Sequence, residues 1–468
     1  MNPKTKNTII LILLFISIFV SLLIWWVTLP IFQSFDEPAH FAQIQHIALY
    51  NSKDVNNTYS IEEYNLLQYL HFLPNSRYTF SNSVNAKGEQ SFKENESSIN
   101  KQKTFLYNGT VENYPPLYYY ITAIIYRIFY KTSIFFEVEA IRFVSILLLL
   151  GTVYFAYKCA QLIFKKDKFA QYTVLLLIGF LPMLSQFAVS INPDNLIILL
   201  FSAFTYYGVR LCQSKSFDIK ANIALIVIII LGFLTKQSSY TLIIFLLFLY
   251  IIQIKRFKVN IKKYKQYFFI LLILVITLLY LVGGKLIITY MTETFQGIKW
   301  FTPFTYISNY YKNYLPSGYV FQSFWGAFGW GYFKFNQQYY DILSIIITIP
   351  IIGIIICLYN YQNYKVILQK KYKNITSILF LILMVLIYSI FLVYLDFISL
   401  KNTRDFFIQG HYFFPIITSI IILIVYGIKQ LFKHKYILHT IYTTIILLFI
   451  IFNITALFHI LIKAFYLT

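Results

Sequence analysis

Long apolar runs, separated by short polar connections, extend along almost the whole chain. Segments such as 7–30 and 439–462 exceed the roughly 20 apolar residues that a helix needs to cross a bilayer core. The pattern predicts an all-α fold with about eleven transmembrane helices. These predicted spans are 8–30, 139–163, 169–190, 195–213, 220–235, 238–254, 266–291, 341–361, 375–397, 412–430 and 437–462.

Composition agrees with a membrane protein. Charged residues make up 12% of the chain, whereas a soluble domain carries roughly 25%. The formal charge of +21 is distributed over short connections between apolar runs, at 165–168, 255–265, 365–373 and 429–435. Basic short loops mark the cytoplasmic side of a membrane protein, and a scattered distribution excludes a contiguous nucleic-acid face. We therefore expect a multi-pass protein of the cytoplasmic membrane, with a cytoplasmic N-terminus and an extracytoplasmic C-terminus.

This topology leaves three segments on the extracytoplasmic side. The first is a long loop at 31–138, in which the tyrosine-rich stretch 115–130 predicts an interfacial or re-entrant helix. The second is a short turn around Asp194, and the third is the glycine- and aromatic-rich loop 292–340. We expect two modules, a catalytic one at 1–290 and a C-terminal one at 291–468.

Ionisable residues are concentrated in the motif "DEPAHF" (36–41), directly after the first apolar run. Asp36 and Pro38 predict a helix start, which places Glu37 and His40 on one helical face. Helix capping would account for Asp36 alone, but ionisable groups at a membrane boundary are usually functional. Asp36 and Glu37 are candidates for general-base chemistry or, together with His40, for binding a divalent cation. Asp194 either caps the next helix or joins Asp36 in the same site.

Cations on the extracytoplasmic side are the candidates for binding a phosphate. Lys236 lies in the turn "LTKQSSY", where it either snorkels toward water or pairs with phosphate as a point charge. Arg127, Arg142 and Arg404 are further candidates, although each could simply mark a helix end or be neutralised by a neighbouring acid. "SFWGAFGW" (323–330) combines tryptophans with glycines, which suits either an aromatic belt at the bilayer surface or a sugar-stacking surface.

The order of these motifs resembles two families of membrane proteins. "DEPAHF", "YPPLYYYITAIIYRIF" (114–129) and the following apolar run are similar to the multi-span GT-C glycosyltransferases, which include protein mannosyltransferases and the aminoarabinose transferase of lipid A. Together with "SFWGAFGW" and "QGHYFFPI" (409–416), they resemble the DUF2142 bacterial membrane family more closely still. The resemblance extends over roughly residues 8 to 430.

The resemblance implies a GT-C-like fold and sugar transfer on the outer face from a polyprenyl-phosphate donor. Asp36 would correspond to the catalytic aspartate of the first outer loop, with Glu37 beside it, and Asp194 to the acidic residue of the second. The related pattern reads Gln-Gly-Arg-Tyr where this chain has Gln409, Gly410, His411 and Tyr412. His411 would therefore contact a phosphate only when protonated, or Arg404 would replace the arginine.

We therefore expect an inverting glycosyltransferase of the cell envelope that binds a lipid-linked sugar and membrane lipid and needs no soluble cofactor. A divalent cation held among Asp36, Glu37, His40 and Asp194 remains an alternative. Two other functions are open, a lipid or polysaccharide flippase or transporter, and a polysaccharide polymerase. A transporter would place its polar features near the bilayer midplane and show internal repeats, and a polymerase would display several outward arginines.

Overall fold

A computed structural model describes most of the chain. It covers residues 3–52, 58–70, 85–95, 105–108, 114–257, 312, 314–363, 375–403 and 408–467. The predicted span 266–291 and the candidate residue Arg404 lie outside these ranges.

The described residues are mainly helical. The α-helices, numbered α1 to α17, are Pro3–Thr28, Glu37–Tyr50, Ile61–Tyr69, Asn85–Asn95, Leu117–Phe129, Ile134–Phe164, Lys168–Gly179, Pro182–Ala188, Asp194–Gln213, Ile219–Phe233, Thr241–Phe257, Tyr319–Trp325, Gln337–Asn363, Ile375–Thr403, Ile417–Leu431, Lys435–Ile454 and Ile462–Tyr466. Segments of 3₁₀ helix at Gln237–Tyr240 and Gly410–Ile416 precede α11 and α15. A π-helical segment, Thr455–Leu461, joins α16 to α17.

These helices confirm a protein with several apolar membrane helices. By length and composition, six helices of the described residues are able to cross a membrane, or seven if the bent pair α7–α8 forms one span. Shorter apolar helices occupy Leu117–Phe129, Ile219–Phe233 and Gln237–Gln253, so the predicted interfacial segment is helical. The number of eleven spans stays a prediction.

Two short β-sheets add to the mainly helical fold that the sequence predicts. In the first loop, β1 (Thr58–Ser60) pairs antiparallel with β2 (Phe105–Asn108). A second hairpin pairs β3 (Ala327–Phe328) with β4 (Phe333–Lys334). Its connection contains Gly329 and Gly331 at φ values of 61° and 87°, a backbone region that glycine enters without steric cost. Gly329, from "SFWGAFGW", therefore serves a tight turn together with Gly331.

Local signals explain several helix boundaries. The side chains of Asp167 and Asp218 accept hydrogen bonds from the backbone N–H groups of Ala170 and Ala221, which caps α7 and α10. Pro182 stands at the start of α8, and α7 and α8 meet at an angle of 61°. Since proline removes a backbone donor and clashes with the preceding turn, the apolar run at 169–190 forms two helices.

The helices share one hydrophobic core, which includes residues from both predicted modules. α13 and α15 are in close contact at Gly353 and Gly427. A Cβ atom added to Gly353 would lie only 2.0 Å from the carbonyl oxygen of Gly427. Small residues permit this kind of close helix contact in membranes. The division of the chain at residue 290 stays a prediction.

Charge distinguishes the two ends of the bundle. Near the start of α6, Arg142 contacts the end of α1. Just beyond the other end of α6, Asp167 pairs with Lys429 at the end of α15. We call the end with Lys165, Lys166, Lys215, Lys220 and Lys429 the basic end. At the opposite end lie the turns before α2 and α9 and the turn between α10 and α11, and we call it the Asp36 end. The chain thus separates its lysine-rich connections from its candidate catalytic residues.

Candidate active site

A strained turn between α1 and α2 presents Asp36 to solvent. Phe32 and Asp36 have φ values of 63° and 56°, a left-handed conformation that is unfavourable for residues other than glycine. Asp36 stands at the N-cap position of α2, but its side chain makes no capping hydrogen bond. The exposed carboxylate therefore does not serve the capping role that the sequence left open.

The contacts of the turn explain how its conformation is held. The carboxylate of Glu89 accepts a hydrogen bond from the N–H group of Ile31 at 2.9 Å. The indole of Trp330 donates to the carbonyl oxygen of Phe32 at 3.0 Å. Two regions distant in sequence, α4 and the β3–β4 hairpin, thus fix the turn that carries Asp36.

Glu37, the next residue, is buried in an ion pair with Arg142 of α6. The guanidinium donates from Nε to Oε1 at 2.8 Å and from Nη2 to Oε2 at 2.7 Å, and both side chains are fully inaccessible to solvent. Arg142 also donates to the carbonyl oxygens of Leu29 and Pro30, and Glu37 accepts from the N–H group of Ile191 at 3.0 Å. This network joins the end of α1, the start of α2, α6 and the turn before α9.

A second ion pair links Asp194, at the start of α9, to Lys236. The Lys236 ammonium lies 2.5 Å from Asp194 Oδ1. The side chain of Asp194 is 9% exposed and that of Lys236 is 17% exposed. Burial favours a lower pKa for Lys236, but the negative charges of Asp194 and Asp36 raise the pKa above its usual value. His40, one turn after Asp36 on α2, packs against Tyr114, whose ring centre lies 5.3 Å from the Lys236 ammonium, so the turn of Asp36 and the ion pair border one site.

Aromatic side chains surround this ion pair. The Lys236 ammonium lies 5.3 Å from the ring centre of Tyr114 and 5.6 Å from that of Tyr412, within cation–π range. The N–H group of Leu117 donates to the carbonyl oxygen of Leu234 at 2.8 Å, which brings the start of α5 beside the Lys236 turn. The ammonium group of the site is therefore bordered by tyrosine rings.

His40 lies one turn into α2, on the buried side of the same site. Its Nδ1 atom is 2.9 Å from the Tyr119 hydroxyl, and its ring packs edge-on against Tyr114 at 5.7 Å. Burial, and secondarily the charge of Lys236, lowers the pKa of His40 to about 3. The imidazole is therefore neutral at neutral pH.

The motif "QGHY" enters the site from the 3₁₀ segment before α15. The N–H group of Gly410 donates to the Ser323 hydroxyl at 2.7 Å, and a Cβ atom at this position would lie 2.1 Å from the nitrogen of Phe324. The ring of His411 stacks against Phe35 and Phe187 at centroid distances of 5.1 and 4.5 Å. Among the described residues, neither His411 Nδ1 nor Gln409 Oε1 has a hydrogen-bond partner, although both atoms are buried.

A family model described as "Predicted membrane protein (DUF2142)" matches residues 19–420. The chain belongs to the DUF2142 family. No curated protein matches it. A solved structure, the crystal structure of ArnT from Cupriavidus metallidurans in the apo state, is similar at 12% sequence identity and a TM-score of 0.44. The alignment covers 93% of this chain and 62% of ArnT, so the chain spans less than two thirds of ArnT's length.

In this DUF2142 protein, five of the residues chosen from sequence are brought to one site: Asp36, Asp194, Lys236, His40 and His411. Gln409 lies beside them at the N-cap of the 3₁₀ segment. Glu37 is adjacent in sequence, but its carboxylate is occupied by Arg142. In the described part of the chain, no group of three or more His, Cys, Asp or Glu side chains is arranged to hold a metal ion.

The two other arginines considered as phosphate ligands make structural contacts. Arg142 belongs to the buried pair with Glu37. Arg127 donates to the carbonyl oxygens of Ala48 and Ile47 at 2.8 and 3.1 Å, at the C-terminal end of α2. Trp325 is 2% exposed and packs edge-on against Phe449, so it contributes to the core and not to an aromatic belt.

Sequence reasoning missed several residues that build the site of this family member. Tyr114 and Tyr119 belong to a tyrosine-rich run that was interpreted only as interfacial, and Tyr412 adjoins a residue that was chosen. The amide of Gln186, in α8, exchanges two hydrogen bonds with the backbone of Gly329, at 2.9 and 3.2 Å. A lone glutamine in an apolar run was the available signal, since a polar group is costly to bury without a partner.

Proposed function

We propose that the protein transfers a sugar from a polyprenyl-phosphate-linked donor to an acceptor hydroxyl on the extracytoplasmic face of the membrane. The observation that carries this proposal is the exposed carboxylate of Asp36 beside the Asp194–Lys236 ion pair. An acceptor that enters from water and a donor held in the bilayer would meet there. The products would be cell-surface glycans or glycoconjugates.

In this proposal Asp36 is the general base. Its carboxylate takes the proton of the acceptor hydroxyl while the acceptor oxygen bonds to the anomeric carbon. The bond from that carbon to the phosphate oxygen breaks, and its electron pair remains on the departing polyprenyl phosphate. Attack opposite the leaving group inverts the anomeric configuration. General-base catalysis of this kind contributes about 10²- to 10⁴-fold to a rate.

Lys236 stabilises the negative charge that develops on the departing phosphate. An ammonium has three N–H donors, and among the described residues one hydrogen bond is made, to Asp194. Asp194 holds Lys236 in position and keeps it protonated. A fixed cation at a developing charge is among the larger contributions to catalysis.

The other candidates have supporting roles in this proposal. Glu37 acts as a positioning residue, because its ion pair with Arg142 anchors the first turn of α2 directly beside Asp36. Gln409 and His411 bring to the site buried hydrogen-bonding atoms that have no partner within the described residues, which suits contact with the substrate. His40 packs against the tyrosine side chains that border the site. A contact between Arg404 and the phosphate stays a proposal from sequence.

The charge distribution of the bundle supports an extracytoplasmic site. Basic connections face the cytoplasm in membrane proteins, and the lysine-rich connections cluster at the end opposite Asp36. The same rule supports a cytoplasmic N-terminus, and we propose the cytoplasmic membrane as the location of the protein.

The experiment compares Asp36→Asn with Asp341→Asn in cells that lack the wild-type gene. Asp341 is an exposed aspartate at the start of α13, and its carboxylate accepts a hydrogen bond from the side chain of Gln337 at 3.0 Å. We expect Asp36→Asn to reduce surface glycan formation, measured by mass spectrometry, about 10²- to 10⁴-fold. Asp341→Asn should leave it unchanged, and both variants should reach the membrane in wild-type amounts.

Two outcomes would contradict the proposal. Full transfer by Asp36→Asn would remove the base from the mechanism. Movement of a lipid-linked sugar across the bilayer by the purified wild-type protein in liposomes, without formation of a glycosidic bond, would identify a transporter.

A further inference from the structure

An apolar groove on the side of the bundle has no role in the proposed function. It lies between α6, α9 and α10, has a volume of about 500 Å³, and is lined by side chains such as Phe155, Leu199, Ala224 and Val227. The lining is apolar except at Lys220 and Tyr207. A cavity of this size is in the range that binds small ligands.

Lys220 places a positive charge at one end of this groove. It lies in the first turn of α10, at the basic end, and its side chain is exposed. The nearby Asp218 is already paired with Arg210 at 2.6 Å and caps α10. Among the described residues, Lys220 forms no ion pair, so its charge remains available to an external anion.

We propose that this groove binds an anionic phospholipid of the membrane, with an acyl chain between α9 and α10 and the phosphate at Lys220. The apolar lining matches the chain, and the single cation at the edge matches the charge of the head group. Basic pockets between helices at the cytoplasmic side are suited to such head groups. The site is separate from the proposed transferase site, because its charged end lies at the opposite end of the bundle from Asp36.

The test measures lipid binding to the purified full-length protein in a non-ionic detergent by native mass spectrometry. Phosphatidylglycerol and phosphatidylcholine with identical acyl chains are the two probes. We expect the wild-type protein to bind phosphatidylglycerol at least threefold more tightly. Lys220→Gln should abolish this preference, whereas Lys166→Gln, a matched exposed lysine at the same end, should retain it. Ala224→Phe, which fills the groove, should weaken binding of both lipids.

Three results would overturn the proposal. The wild-type protein would bind both lipids equally, or Lys166→Gln would lose the preference as fully as Lys220→Gln, which indicates diffuse attraction to the basic end. In the third result, a photoreactive benzophenone introduced at Val227 would link to another segment of the chain and not to lipid, so that protein fills the groove. A lipid adduct at that position in the wild-type background supports it.

Discussion

Two buried ion pairs at the Asp36 end have different surroundings. Glu37 and Arg142 form a two-pronged pair, are completely buried, and bind three further backbone groups. Asp194 and Lys236 share a single contact, retain some solvent exposure, and are bordered by the ring faces of Tyr114 and Tyr412. Both pairs combine a carboxylate with a cation, yet only the second leaves donors of its cation unused within the described structure.

This difference separates a scaffold from a binding site. A guanidinium has a rigid, planar set of donors, which suits several fixed acceptors at once. A lysine ammonium is a compact point charge on a flexible stem, so it is able to turn toward a phosphate while it remains near Asp194. We therefore expect damage to the first pair to reduce stability and damage to the second to reduce activity.

The largest effect should come from Arg142→Leu. This change leaves the Glu37 carboxylate buried without its cation and removes the donors to Leu29 and Pro30. Breaking a buried ion pair on one side costs about 3–5 kcal/mol. Unfolding of the detergent-solubilised protein by heat or denaturant measures the loss.

Arg127→Met is the matched control for that experiment. Arg127 also donates to backbone carbonyls, but its side chain is exposed, so we expect a decrease of no more than about 1 kcal/mol. The double variant Glu37→Leu with Arg142→Leu should recover part of the stability, because it removes the uncompensated charge of Glu37, whereas Glu139 still loses its 3.3 Å contact with Arg142. Equal losses for Arg142→Leu and Arg127→Met would refute the scaffold role.

The second effect concerns catalysis. Lys236→Met removes the cation that stabilises the departing phosphate, and we expect sugar transfer to fall about 10²-fold, mainly in kcat. Its loss of stability should be smaller than that of Arg142→Leu, because the pair is partly exposed. Initial rates with the lipid-linked donor, together with unfolding curves, separate the two quantities.

Lys334→Met provides the control for Lys236→Met. Lys334 also lies over a tyrosine ring, that of Tyr319 at 5.0 Å, but it is exposed and outside the ion pair. Its replacement should leave the rate within about twofold of wild type, as expected for an exposed cation. If Lys236→Met loses stability as severely as Arg142→Leu while kcat of the folded fraction is unchanged, the second pair is also a scaffold.

The sequence was sufficient to select both carboxylates of these pairs, because charged residues stand out in a chain of apolar runs. The presence of several apolar membrane helices followed from those runs, whereas the break of the run 169–190 into α7 and α8 did not. The pairing itself was not predictable. Asp194 and Lys236 are 42 positions apart and Glu37 and Arg142 are 105 apart, so their contacts depend on how helices pack. A helical pattern indicates which residues share a face but not which helix that face meets.

Arg142 illustrates the limit most clearly. A cation near the start of an apolar helix is compatible with a phosphate ligand or with an internal ion pair, and its sequence neighbours do not distinguish them. The hydrogen bonds between Gln186 and Gly329 were equally unpredictable from sequence, since these residues lie 143 positions apart. In both cases the deciding observation is the partner, which the fold alone supplies.

The smallest expected effect tests which of the two ion pairs influences the pKa of His40. Burial and the charge of Lys236 lower the pKa of His40 to about 3, whereas an unfolded histidine titrates near 6.5. Between these values the unfolded state binds more protons, so the contribution of His40 to stability is present above about pH 6.5 and decreases as the pH falls. The expected loss is about 2 kcal/mol between pH 7 and pH 5.

The difference between wild type and His40→Gln isolates this contribution, because the carboxylates titrate in both proteins. Lys236→Met should raise the pKa of His40 by removing the second cause of its depression, and should therefore reduce the difference at pH 5. Arg142→Met should not change it, since the charge of Arg142 is not among the causes of the shift. Unfolding curves at pH 7, 6 and 5 provide the measurement. If both cation variants changed the His40 contribution equally, the two ion pairs would act on α2 as one electrostatic unit, and their assignment to separate roles would be wrong.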